Sequence, residues 1–296
     1  MPVMARFEKY NYVSGEGFNA HIELCWYRSY APGRIKLQWK LAAGQRVLAS
    51  GTANAAPPSR ANYIDICELA IDMPAVDQMT KVTFALQIEG TDICKVYDLW
   101  IYPQQVNAGL KDIHLFEELS GEALALLEKG ENVLLMPKPE RLENAVEGFY
   151  CTDFWCYPMF RSISESMNRP VPVGTMGLLI DNSHPVFRDF PSEQYSTYPW
   201  WSIVSHSKSI IMDGTAKEWS PIVQTIDNFE RNHKLGFLLE CRVGQGNLLV
   251  CALDADKAGG TPEGRQFLSS LTAYMKSAEF RPRYEASVSE LLQLIH

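Results

Sequence analysis

Residues 234–254 read KLGFLLECRVGQGNLLVCALD, two apolar runs joined by Gly244-Gln245-Gly246. Each run is too short for a helix of its own, and a Gly-x-Gly between two such runs supplies the positive φ angles that a tight hairpin needs. Strands that are apolar on both faces are typical of a sheet covered by helices, because sheets with one wet face alternate apolar and polar residues. The stretch therefore predicts a hairpin that is buried on both faces within an α/β layer structure.

In the rest of the second half, segments whose apolar residues have helical spacing alternate with short segments typical of strands. Ser120 is placed to cap a helix, and residues 132–136 follow it as a short buried strand. Thr261 and Pro262 begin another helix, and apolar residues at helical spacing predict a last helix from Val288. Residues 221–229 fit either a helix start or a strand, and we favour the strand.

In the first hundred residues, the apolar side chains recur with a different period, that of a β-strand. Apolar and polar side chains alternate along residues 18–26, 35–41 and 82–88. About seven short strands separated by turn residues are predicted, which is the spacing of an immunoglobulin-like β-sandwich. The alternation stops at residues 103–112, so we predict a sandwich domain over residues 1–104 and an α/β domain over residues 105–296.

Composition and charge limit the partners of this chain. Its 296 residues carry a formal net charge of −8, which disfavours nucleic acid and anionic membranes because no basic patch can replace phosphate counterions. No apolar run reaches the ~20 residues that a membrane helix needs, and residues 1–6 contain no signal-peptide core. The location stays open: periplasmic or extracellular if an export signal precedes the chain, and cytoplasmic otherwise.

The cysteines are predicted to be buried free thiols, because their number is odd and their spacing does not pair them for a metal. Cys151 and Cys156 stand too far apart for a CxxC redox or zinc motif. His184 and His206 have no partner at ligand-like spacing. We predict no metal and no cofactor.

Several segments resemble one enzyme family. They are the hairpin stretch, GLLID at residues 177–181, His184-Pro185, Asp189-Phe190-Pro191 and Trp200-Trp201. Together they resemble the C-terminal domain of bacterial β-galactosidase-like enzymes of glycoside hydrolase family 2. That domain is similar to a flavodoxin-like, three-layer class I glutamine amidotransferase fold that has lost its catalytic residues. Residues 6–10 and 97–103 likewise resemble the sandwich that follows the catalytic barrel in this family.

The resemblance implies a non-catalytic accessory region. Its partners would be the missing catalytic barrel of the same protein or a neighbouring subunit, and self-association stays open. The sequence GFYCTD around Cys151 lacks the small residues of a nucleophile elbow, and no His-x-Glu pair follows near the C-terminus. Neither half has the strand-helix repetition of a (β/α)₈ barrel, which takes about 250 residues. We predict no catalytic residue, and a standalone amidotransferase-like hydrolase is the lowest-ranked alternative.

Two aromatic clusters carry the remaining functional signal, one at residues 149–160 and one at residues 195–201. Aromatic rings stack on the C–H faces of sugars, and neighbouring carboxylates or histidines bind the hydroxyls, so an independent carbohydrate-binding module is the main alternative. The same rings also suit a core or a protein interface. The segments around Pro191 and Pro199 are expected to be loops. The candidate contacts with an oligosaccharide or a protein are Asp153, Trp155, Tyr157, His184, Glu193, Tyr195, Trp200 and Trp201.

Overall fold

A computed structural model describes residues 2–27, 33–56, 63–147, 157–169, 174–228 and 231–295. The chain divides into two compact units, Met1–Gln105 and Val106–His296. In the part of the chain that the structure describes, strands outweigh helices and form several sheets. No helix within these described ranges is both long and apolar enough to span a membrane.

The first unit consists of two β-sheets. One contains three antiparallel strands in the order β1-β3-β6, and the other contains five in the order β2-β8-β7-β4-β5, with only the β2–β8 pair parallel. The strands are β1 (Val3–Arg6), β2 (Asn11–Val13), β3 (Gly17–Cys25), β4 (Ile35–Ala43), β5 (Arg46–Ala55), β6 (Tyr63–Asp72), β7 (Thr80–Ile88) and β8 (Cys94–Tyr102).

The core of this unit lies between the two sheets. The rings of Phe18 on β3 and Phe84 on β7 meet edge-on at 5.0 Å, and both side chains are fully buried. The predicted inward face of residues 18–24 is confirmed, since Ala20, Ile22 and Leu24 also lie in the core. The period-two alternation therefore yields two sheets that share one apolar core, and the closer assignment as immunoglobulin-like stays a prediction.

The second unit is built on a mixed sheet. Its main path runs β11-β13-β15-β16-β10-β9, and β14 joins β12 to β15. The β9–β10 and β10–β16 pairs are parallel, and the other pairs are antiparallel. The strands are β9 (His114–Phe116), β10 (Asn132–Leu135), β11 (Ala145–Glu147), β12 (Gly177–Ile180), β13 (Lys208–Ile211), β14 (Val223–Ile226), β15 (Lys234–Val243) and β16 (Gly246–Cys251).

The predicted hairpin is confirmed. Strands β15 and β16 pair antiparallel, and Gly244 in the turn has a φ of 60°. The burial of β16 is nearly complete on both faces, as the apolar run predicts. The strand preference for residues 221–229 is also confirmed, because β14 lies there. A bulge opposite β14 leaves Phe237 as an extra residue on β15, since Val223 pairs with Leu238 and Gln224 with Gly236.

Helices contact both faces of this sheet. On one face, α1 and α6 share a core with the inward residues of β10 and β16. On the other, Phe237 contacts Trp200 of α3 and Phe267 of α5. The helices are α1 (Gly121–Glu128), α2 (Tyr157–Ser166), α3 (Tyr198–Ser205), α4 (Ala255–Gly259), α5 (Pro262–Lys276) and α6 (Val288–Ile295). The mixed sheet differs from the parallel sheet of flavodoxin-like folds. The assignment of the second unit to a flavodoxin-like fold therefore stays a prediction.

Two helices follow their sequence signals, and one expectation is corrected. The Ser120 hydroxyl accepts a hydrogen bond from the Ala123 N–H, and the Thr261 hydroxyl accepts one from the Gly264 N–H, so α1 and α5 begin at their predicted caps. The predicted loop at Pro199 is wrong, because this proline lies in the first turn of α3. A proline is favoured at that position, since its missing N–H would have no partner there.

Candidate functional site

A polar cluster joins three elements of the second unit. His184 follows β12 and precedes the 3-10 turn Pro185–Phe187, Glu240 lies on β15, and Tyr274 lies on α5. The Tyr274 hydroxyl donates a 2.7 Å hydrogen bond to Glu240 Oε2. His184 Nε2 is 3.5 Å from the Tyr274 hydroxyl and 3.7 Å from Glu240 Oε1. The three side chains are mostly buried.

The polar groups of this cluster interact with one another and with the neighbouring backbone. His184 Nδ1 accepts a hydrogen bond from the Val186 N–H, so in the neutral ring the proton lies on Nε2, which faces Glu240 and Tyr274. Burial raises the pKa of Tyr274, and the hydrogen bond to Glu240 raises it further. The phenol therefore stays protonated and bound to the carboxylate. The arrangement cross-links α5 to the sheet.

The two thiols of the second unit that lie in the described ranges are poor nucleophiles. Cys241 and Cys251 are fully buried, and burial raises the pKa of both thiols well above its usual range. In the first unit Cys25 is buried and Cys94 is exposed, so the expectation of burial is wrong for Cys94. Cys151 and Cys156 lie outside the described residues.

The candidate contact residues fall in different environments. Asp153 and Trp155 lie outside the described residues, and Tyr157 begins α2 but its side chain is likewise outside the description. His184 belongs to the polar cluster, and Glu193 is half-buried. The structure separates residues that the sequence grouped together.

The two neighbouring tryptophans have opposite surroundings. Trp200 has no exposed surface, and its ring packs edge-on against Phe187, Phe190, Phe237 and Phe267. Trp200 is therefore a core residue, because α3 turns its side chain toward α5. Trp201 points away from this core and is 52% exposed.

An exposed apolar surface that includes one of the predicted aromatics lies on the edge of the sheet. Tyr195 forms a bridge with Leu179 on β12, and Gly177 on β12 pairs with Ile226 on β14. Because opposite residues share a face, Leu179 and Ile226 lie on the same side. Tyr195 is 61% exposed, Leu179 55% and Ile226 40%. We call these three residues the Tyr195 face.

Reasoning from the sequence missed part of this arrangement. Glu240 lies in the predicted hairpin and Tyr274 in the predicted helix that begins at Pro262, and the sequence does not link the two residues. These residues lie 34 positions apart in the chain, and no local pattern joins them. His206 caps the C-terminal end of α3, since its Nδ1 lies 2.7 Å from the Ser202 carbonyl oxygen.

Together these features define a β-rich protein of two units, with an apolar surface and a closed polar cluster on the second unit. Residues 114–296, more than half of the chain, match the model of a family described as Domain of unknown function (DUF8487), and the chain belongs to this family. Residues 16–103 match a second family model, described as Domain of unknown function (DUF8488). No curated protein matches the chain significantly.

Weak structural neighbours include glycosidases and a CARDB domain. The β-glucuronidase of Parabacteroides merdae is 10% identical with a TM-score of 0.24, and the match covers 45% of this chain and 21% of that one. A β-galactosidase from Bacteroides fragilis, described as putative, is 12% identical with a TM-score of 0.22, covering 45% and 24%. The CARDB domain of a Pyrococcus furiosus protein is 6% identical with a TM-score of 0.26, covering 35% and 93%. The chain thus spans less than a quarter of these glycosidases, and at such TM-scores the likenesses carry no argument.

Proposed function

We propose that this chain is a non-catalytic accessory region of a glycoside hydrolase, and that its second unit docks on the catalytic barrel through the Tyr195 face. The glycosidase context rests on the resemblance of residues 177–181 and 234–254 to family 2 enzymes. The docking role rests on the Tyr195 face.

The observation that carries the proposal is the exposure of three large apolar side chains on one side of a sheet edge. Leu179, Tyr195 and Ile226 are each at least 40% exposed and are connected through backbone pairing. Exposed apolar side chains are common singly, but a contiguous group marks an interaction surface. Aromatic residues such as Tyr195 are also enriched at protein interfaces.

The polar cluster supports a structural rather than a chemical role for the second unit. Glycoside hydrolysis needs two carboxyl groups beside the scissile bond, one of which gives up a proton. Glu240 is instead hydrogen-bonded to Tyr274 and lies beside His184. A carboxylate held in this way stabilises the packing of α5.

A second candidate function is direct sugar binding. Tyr198 and Trp201 lie one turn apart on α3, and both are about half exposed. Rings at this spacing share one side of a helix, and an exposed indole offers a flat surface to a sugar. On this alternative the second unit lies along the rim of the substrate cleft.

The docking proposal is tested by sedimentation velocity of the purified chain mixed with the separately produced catalytic barrel of a family 2 β-galactosidase. We expect a one-to-one complex that Tyr195→Ser weakens at least tenfold. Tyr27→Ser is the matched control, because Tyr27 is also a largely exposed tyrosine but lies in the first unit. This control should leave the complex unchanged.

Three outcomes contradict docking on a barrel. The chain does not sediment with the barrel, or both tyrosine variants bind equally well, or the chain forms a homodimer that Tyr195→Ser dissociates. The sugar alternative is tested by calorimetry with lactose. Millimolar or tighter binding that is lost in Trp201→Ala and retained in Tyr27→Ser would favour the carbohydrate-binding module.

A further inference from the structure

A histidine and three carboxylates meet on the outer face of the three-stranded sheet in the first unit. His21 and Glu23 lie two residues apart on β3, and Asp65 and Glu68 lie opposite them on β6. His21 Nε2 is 3.2 Å from Asp65 Oδ1 and 3.5 Å from Glu23 Oε1, and His21 Nδ1 is 2.5 Å from Glu68 Oε1. We call these four residues the His21 cluster.

A β-bulge brings the two acidic residues of β6 to the same face. Residues three positions apart on a regular strand point to opposite sides. Here Ile22 pairs with Cys67 and Glu23 with Asp65, which leaves Ile66 unopposed. Ile66 and Cys67 both turn toward the core, so the alternation shifts by one and Asp65 and Glu68 both face outward. Bulges often re-aim a side chain in this way.

We propose that the His21 cluster binds a divalent transition-metal ion of the Zn²⁺ class, with His21 Nε2, Glu23 and Asp65 as its ligands. Zinc bonds of about 2.0–2.2 Å in tetrahedral geometry place two donor atoms roughly 3.3–3.5 Å apart. The distances from Nε2 to the two carboxylate oxygens fall close to this value, and the three donor atoms lie within 4.8 Å of one another. Water completes the coordination.

The fourth member of the cluster orients the histidine. Metal-bound histidines usually donate the other ring N–H to a carboxylate, which sets the tautomer and the ring orientation. Glu68 lies in that position on Nδ1, so Nε2 becomes the ligand atom once its proton is lost. A nitrogen donor together with carboxylates favours Zn²⁺ or a similar ion over Ca²⁺ and Mg²⁺, which prefer oxygen ligands alone.

The charge of the cluster and the burial of Glu23 also favour a cation. The cluster has three carboxylates, and the guanidinium of Arg6 contacts one of them, with its Nε 2.8 Å from Glu23 Oε1. The Glu23 side chain is only 12% exposed, and its Oε2 is buried without a hydrogen-bond partner among the described residues. Arg6 is 64% exposed and can turn into solvent when an ion binds. A bound cation would offset the excess negative charge and the cost of burying Glu23.

The proposal is tested by calorimetric titration of the whole EDTA-treated chain with ZnCl₂ at neutral pH. We expect one Zn²⁺ per chain, with the binding lost in His21→Ala and in Asp65→Asn. Glu68→Gln should weaken it about 10–100-fold, because this residue only positions the ligand. Asp65 is 81% exposed, so its substitution leaves the fold intact, and circular dichroism checks this.

A second histidine–carboxylate pair provides the matched control. His233 Nδ1 lies 2.7 Å from Asp213 Oδ2 in the second unit and is not part of the His21 cluster. His233→Ala should retain full Zn²⁺ binding, and CaCl₂ should produce no comparable heat. The proposal is overturned if His21→Ala binds Zn²⁺ as tightly as the unmodified chain, or if Zn²⁺ does not bind. Loss of binding in Cys94→Ser but not in His21→Ala would assign the ion to the exposed thiol and also overturn it.

Discussion

Gly244 and Gly246 flank the same hairpin turn but are needed for different reasons. Gly244 has a φ of 60°, a conformation that other residues rarely adopt. Gly246 lies against α1, where an added Cβ would come within 2.5 Å of the Glu131 carbonyl oxygen and 2.7 Å of Leu127 Cα. The first glycine permits the turn, and the second lets the helix approach the strand.

Gly246→Ala should lower the free energy of unfolding by about 1–3 kcal/mol, because the new methyl group overpacks against backbone atoms that cannot move aside. Urea unfolding followed by circular dichroism measures this change. The control is Gly214→Ala, since nothing lies within 4 Å of a Cβ built at Gly214. Equal stability of the two variants would show that α1 does not press on the turn.

Tyr274 is the residue on which the polar cluster depends. Tyr274→Phe should lower the free energy of unfolding by about 1–3 kcal/mol at neutral pH, because it leaves the mostly buried Glu240 carboxylate without this donor. The control is Tyr284→Phe, whose hydroxyl bonds Glu290. Glu290 keeps its bonds from the Ser287 N–H and hydroxyl, so we expect a smaller loss there.

The pH dependence gives a second measurement on the same variant. The pKa of Tyr274 is raised above its usual 10.0, first by burial. The resulting stabilisation is fully present below the unfolded-state pKa and is lost as the pH rises through the higher folded-state value. The unmodified chain should therefore lose more stability above pH ~10 than Tyr274→Phe does. Parallel loss in both proteins would contradict the assigned role.

Single elements of this protein are defined partly by local signals and partly by their neighbours. Helix α5 begins at a capping threonine followed by proline, and it forms where this signal predicts it. The bulges in β6 and β15 have no such signal. Each changes which side chains face the core, and each is set by pairing with a strand that is distant in sequence.

Thr261→Ala should lower the free energy of unfolding by about 0.5–2 kcal/mol, because the Gly264 N–H then loses the hydroxyl that accepts its hydrogen bond. Thermal unfolding monitored at a helix-sensitive wavelength measures the effect. Thr261→Ser retains the hydroxyl and should remain close to the unmodified chain. A loss in the serine variant as large as in the alanine variant would assign the effect to the methyl group and not to the cap.

At the scale of the whole molecule, each unit has a core of its own. One apolar core is formed only by residues of the first unit and includes Phe18 and Phe84, and another is formed only by residues of the second unit and includes the inward residues of β10 and β16. A unit with its own core is able to fold alone. The metal site proposed in the first unit and the docking face proposed in the second are therefore separable.

Residues 1–105 and 106–296, produced as separate proteins, should each unfold cooperatively in a thermal scan. Phe84→Ala should destabilise the first fragment by about 3–5 kcal/mol, since it removes a buried ring from the core. Val96→Ser is the control, because Val96 is largely exposed in the same sheet. A fragment with native-like secondary structure but no cooperative transition would contradict independent folding.

The sequence by itself determined the hairpin of β15 and β16, the capped helices α1 and α5, and the alternating strands of the first unit. These features depend on periodicity and on turn or cap residues, which act over a few neighbouring positions. Only the tertiary structure decided that Trp200 is buried while Trp201 is exposed, because α3 packs one side of its first turn against α5. It likewise brought Glu240 to Tyr274, and Asp65 and Glu68 to His21. Such contacts join residues far apart in the chain, and they depend on strand register and packing, which no local pattern encodes.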